Sequence, residues 1–154
     1  MYKRDTWMTL ITFCLAGLLL SSTSISVRAE QEGNYWTKVS EVLKDLSADM
    51  TELGAEATSF GKEETTKSAT LEKAKQHREE ALKLLKRIIE LNPEAPDPTL
   101  HAKMVNAVSN WYLASLLWQE GLEEGSQKKM RAVEPIVNVI SREAKLFSTK
   151  AKGN

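Results

Sequence analysis

Trp111-Tyr112-Leu113-Ala114-Ser115-Leu116-Leu117-Trp118 is the most apolar stretch of the chain outside its N-terminus. At a step of about 100° per residue, Met104, Val105, Val108, Trp111, Tyr112 and Leu122 share one face of a helix, and Trp118 follows Trp111 two turns on. Leu113 and Leu117 point the other way. A surface helix needs only one apolar stripe, whereas one that is apolar over most of its circumference is buried among several neighbours. The stretch therefore predicts a helical bundle, or a bundle with a partner.

The flanking punctuation sets the helices on either side. Asp97-Pro98 supplies a carboxylate to cap free amides and a proline for the first helical position, so the central helix opens there and ends around Gly121 to Gly125. Before it, Asn92-Pro93 stops a helix that runs from about Ser68 or Thr70 to Leu91, with Leu71, Ala74, Ala81, Leu84, Leu85 and Ile88 inward. Glu79 and Lys83 are spaced for an i,i+4 pair on its outer side. The short loop from Pro93 to Pro98 requires these two helices to lie antiparallel.

After the central helix, Ser126 caps a last helix to about Lys150, with Val133, Ile136, Val137, Ile140, Ala144 and Phe147 inward. Pro135 lies too deep for a first-turn proline, and a kink is expected there rather than a start near Glu134. The clearest periodicity belongs to the first helix, from about Tyr35 to Phe60 with Asn34 as cap. Tyr35, Trp36, Val39, Val42, Leu43, Leu46, Met50, Leu53, Ala57 and Phe60 point within roughly 60° of one direction, and Gly54 falls on the polar side. The expected fold is all-α, an antiparallel up-down-up-down four-helix bundle.

The N-terminus predicts a compartment. Lys3 and Arg4 precede an apolar run from about Trp7 to Leu20, then come polar residues and Val27-Arg28-Ala29, the three parts of a cleavable secretory signal peptide. Residues 1–29 read as the signal and 30–154 as a single helical-bundle domain, exported to a periplasm or the extracellular space. The apolar run falls short of the ~20 residues needed to span a bilayer, so no transmembrane span is expected after cleavage. Phe13 before Cys14 departs from the small residue a lipobox requires.

With Lys3, Arg4, Arg28 and Asp5 removed, the mature part carries a formal charge of −2, against no net charge for the whole chain of 154 residues. No basic excess points to nucleic acid. The mature part also lacks cysteine, which excludes disulfides, thiolate metal sites and cysteine nucleophiles. Charge is uneven along the chain. From Glu41 to Glu64 there are seven acids against two lysines, and from Lys128 to Lys152 seven bases against two acids. In a closed bundle the first and last helices are neighbours, so these faces either attract each other or are simply solvated, each exposed pair contributing at most about 1 kcal/mol.

The candidate chemistry is sparse. His77 and His101 lie on opposite sides of the proline-rich loop at heights that differ by roughly 18 Å at 1.5 Å per residue, too far to share an ion. No Glu-x-x-His motif is present, and the last helix has no histidine to act as a haem ligand. There is no nucleophile elbow and no phosphate loop. Paired acids such as Glu79-Glu80 and Glu123-Glu124 fall on solvent faces. No enzyme, cofactor or metal site is expected, and each histidine reads as solvated or hydrogen-bonded at the border of an apolar stripe.

Ala81, Leu85 and Ile88 before Leu91-Asn92-Pro93 resemble the end of a tetratricopeptide repeat, although Thr99, Lys103 and Asn106 stand where the next repeat needs other residues. More broadly, residues 82–124 resemble small secreted or surface-anchored bacterial helical-bundle proteins, many of unknown function. In these a proline-containing turn leads into a helix with an early histidine and a later Glu-Gly. Pro93, His101, Tyr112 and Gly121 carry that resemblance, which implies a fold rather than an activity.

The expected function is a non-enzymatic binding or interaction module for an unknown protein partner or for self-association, with Leu113, Leu117 and Trp118 as the contact surface. The alternatives are a carrier for a small apolar ligand, with Trp36, Trp111 and Tyr112 lining a pocket between the helices, and a tetratricopeptide-like adaptor.

Overall fold

In the computed structural model, residues 34–92 and 95–151 are described, Asn34 and the last eight of them by backbone alone; the signal-peptide reading, the Asn34 side-chain cap, Pro93, and the inward placement of Ala144 and Phe147 lie outside these limits. The described residues form four helices and no strand: α1 (Asn34–Gly61), α2 (Lys67–Glu90), α3 (Pro98–Glu124) and α4 (Gln127–Ala151). No described helix is long and apolar enough to cross a membrane.

The helix ends follow the local chemistry. Thr66 caps α2, its hydroxyl accepting from Ala69 N–H. Asp97 caps α3, with Oδ1 accepting from Leu100 N–H at 2.9 Å and Pro98 at the first helical position. Gly125 ends α3 in the left-handed conformation, φ 67°, which costs glycine nothing. The Ser126 hydroxyl then accepts from Lys129 N–H to open α4. That helix runs from Gln127 through Pro135 rather than starting near it. Pro135 is exposed, while Val133 and Val137 on either side are buried, so packing holds the helix together across the missing amide.

Side-chain pairs fix the directions of the helices. Asp45 meets Arg87, and Glu56 meets Lys73, so α2 runs back along α1. Lys67 at the start of α2 reaches the carbonyl of Glu123 at the end of α3. Glu120 meets Lys129, and Asn106 meets Glu143, so α4 runs back along α3. Tyr35–His101, Asp49–Trp111 and Phe60–Trp118 join α1 to α3 in parallel. The core is filled by Val39, Leu46, Ile88, Met104, Val108, Trp111, Leu122 and Ile140.

Three expectations need correction. Close backbone approach among the described residues is mainly between consecutive helices, and α1 approaches α4, like α3, at few points of the backbone. The acids of α1 accordingly find cations on α2, through Arg87 and Lys73, rather than the basic face of α4. Gly54 is buried. Because α1 packs on both α2 and α3, its buried arc is wider than one stripe and takes in Ser47 and Gly54 two turns apart. Finally, Lys83 pairs with Glu80, one turn away, instead of Glu79.

Candidate functional site

Trp111 leads from the core to a polar cluster between three helices. Its indole N–H donates to Asp49 Oδ2 at 2.7 Å. The other oxygen of Asp49 bonds His77 Nδ1, and His77 Nε2 lies 3.1 Å from Glu56 Oε2. Glu56 also holds Lys73 Nζ at 3.0 Å. His77 is 4 % exposed. Burial by itself lowers the histidine pKa, but hydrogen bonds and charge from Asp49 and Glu56 outweigh it and raise the net value. With His77 protonated, two carboxylates face two cations and the cluster is neutral, as a buried ionic group must nearly be. No group of three His, Cys, Asp or Glu among the described residues has the arrangement of a metal site. Through these contacts the cluster joins α1, α2 and α3.

The second histidine behaves in the opposite way. His101, on the first turn of α3, is 2 % exposed and its Nδ1 lies 2.9 Å from the Tyr35 hydroxyl. Burial, and then the charge of Asp97, push the Tyr35 phenol up to about 12. Burial lowers the His101 pKa. A protonated phenol and a neutral imidazole therefore share one hydrogen bond, in which the phenol donates when the ring hydrogen sits on Nε2. Nε2 is buried and has no hydrogen-bond partner among the described residues. Beside it, Ile89, Glu90 and Asn92 at the end of α2 and His101, Ala102 and Val105 on α3 line an open cleft of about 460 Å³. A second, shallower depression of about 510 Å³ lies on the outer side of α3, between Pro98 and Asn106.

The residues expected to form a contact surface separate. Leu113 is exposed, Leu117 is half-buried against the core, and Trp118 is buried edge-on to Phe60. Trp118 lies two turns from Trp111 and so shares its inward direction, which removes it from any surface. Trp36 and Trp111, expected as pocket walls, are packed in the core, and Tyr112 is half-buried against it. Neither described cavity is lined by these three residues.

The exposed large apolar side chains instead include Leu82 and Ile89 on α2, together with Leu113 on α3 and Val139 on α4. At the helical step, Leu82, Leu85 and Ile89 fall within about 60° of one another, and Val105, Tyr112 and Leu116 within about 40°. The cleft joins Ile89 to Val105, so both rows border the groove between α2 and α3. This half-exposed groove, with Leu113 outside its α3 edge, is the candidate interaction surface. No family model, curated protein or solved structure matches the chain.

Proposed function

We propose that the mature chain is an exported, non-enzymatic interaction module that receives a protein partner, or a second copy of itself, along the groove between α2 and α3. The carrying observation is Ile89, 50 % exposed at the mouth of the cleft and in line with Leu82. Two large aliphatic side chains held in water beside a half-buried apolar row make the kind of apolar patch that a contact surface uses. Export rests on the charged, apolar and small-residue succession from Lys3 to Ala29. The enclosed-carrier alternative is less favoured, because Trp36 and Trp111 are spent on core packing.

The test is native mass spectrometry of the mature protein taken from the exported fraction of its own host. A dimer or a defined complex is expected, reduced to monomer by Leu82→Lys with Ile89→Lys. A bare monomer of the unaltered protein refutes the reading. A monomer carrying a small molecule replaces it with the carrier alternative.

A further inference from the structure

Resting on that interaction reading, we infer that the partner is an acidic amphipathic helix laid along the α2–α3 groove. Three bases interleave with the apolar row of α2: at the helical step Lys75, Arg78 and Lys86 fall in the same arc of about 100° as Leu82, Leu85 and Ile89. The acids Glu72, Glu79 and Glu90 begin only farther round the helix.

The pairing of α2's cations sharpens the contrast. Lys73, Lys83 and Arg87, outside that arc, are held by Glu56, Glu80 and Asp45. Arg78 and Lys86 make no ion pair with the described residues, and Lys75 reaches Glu72 only at 4.0 Å. The cations left without a close acid are therefore those beside the exposed apolar side chains. A partner that supplies carboxylates while covering Leu82 and Ile89 satisfies both.

The shape selects a helix over a lipid surface. Leu85, Val105, Tyr112 and Leu116 are half-buried in the groove instead of projecting from it, and the groove ends in a cleft. A groove with half-buried apolar walls accepts a row of side chains at i, i+3, i+4 and i+7 from another helix. A bilayer is entered by apolar groups that protrude. On α3 the row from Val105 to Leu116 spans about 17 Å at 1.5 Å per residue, matching about three turns of a partner. Glu90 on the cleft is of opposite sign, so the complementary helix carries its acids away from that end.

The probe is a fluorescently labelled synthetic peptide of about 18 residues with leucines at helical i, i+3/i+4 and i+7 spacing and glutamates flanking them. Its controls are the same peptide with lysines and vesicles of phosphatidylglycerol in phosphatidylcholine. Binding is followed by anisotropy to the unaltered mature protein, to K75E/R78E/K86E and to I89K, each first checked for folding by circular dichroism. The glutamate peptide is expected to bind the unaltered protein at least about tenfold more tightly than the lysine peptide, with affinity falling as salt rises. The triple charge reversal is expected to invert that preference, and I89K to weaken both peptides.

Equal binding of both peptides, or a triple variant within about twofold of the unaltered protein, overturns the acidic partner. If I89K still weakens binding in that case, the groove remains an interaction surface. Binding to vesicles with no binding to either peptide replaces the helix with a lipid surface. Indifference to peptides and vesicles alike overturns this inference, while the native mass measurement decides the broader reading separately.

Discussion

His77→Ala tests whether the cluster at Asp49, Glu56 and Trp111 holds three helices together. Removing one partner of a buried ion pair costs about 3–5 kcal/mol when the remaining charge has nothing else to bond. Here Asp49 keeps the Trp111 N–H and Glu56 keeps Lys73, so the expected loss is reduced to about 2–3 kcal/mol.

The pH dependence separates this loss from simple loss of packing. The folded pKa of His77 is raised above the unfolded value of about 6.5. Its contribution to stability is therefore full below that unfolded value and is lost as pH rises through the folded pKa. Urea unfolding of the mature protein and of His77→Ala, followed by tryptophan fluorescence between about pH 6 and about pH 9, reads both quantities. The unaltered protein is expected to lose stability toward alkaline pH more steeply than the variant, and the two curves to converge. Equal slopes, or a variant within about 0.5 kcal/mol of the unaltered protein throughout, would refute the reasoning.

The other expectations concern single contacts. A Cβ added at Gly121 would stand 2.6 Å from Met130 Cγ and 3.0 Å from Met130 N, so Gly121→Ala must displace the Met130 side chain and shift its backbone slightly at the α3–α4 turn. Urea unfolding should register about 1–3 kcal/mol of destabilisation. Asp97→Ala removes the cap on Leu100 N–H and should cost about 1 kcal/mol in the same assay, with Asp97→Asn recovering most of it. Tyr35→Phe leaves the buried Nδ1 of His101 without its hydrogen-bond partner, an expected loss of about 1–3 kcal/mol. Nitrogen-15 spectra of His101 should show a neutral ring at neutral pH, since its pKa is lowered. A charged ring there would contradict the hydrogen-bond assignment.

The helices were readable because each is punctuated locally. Asp97-Pro98, Gly125 and Ser126 act on amides and carbonyls within three or four residues of themselves, so their effect does not depend on the rest of the fold, whereas the Thr66 cap, two to four residues before the expected start at Ser68 or Thr70, was not read. The His77 cluster depends on register between helices, which no local rule supplies. Asp49 and Glu56 lie two turns apart on α1, His77 and Lys73 one turn apart on α2, and both pairs belong to sequences that otherwise read as solvated acidic and mixed faces. Only the packing of α1 against two helices at once draws those carboxylates inward.

A trace of the groove was nevertheless present in α2. The inward stripe of that helix, through Ala74, Ala81, Leu84 and Ile88, is complete without Leu82 and Ile89. Two large aliphatic residues remain after the core has been served, and bases accompany them on the same side. The apolar residues of α3 invited a search for a surface at Trp111 to Trp118 because they are so numerous. Abundance there reflects contact with α1, α2 and α4 together, and little is left over. What signals an unfilled contact is apolar surface in excess of what the neighbouring helices bury, and by that measure α2 carries the exposed edge of this fold.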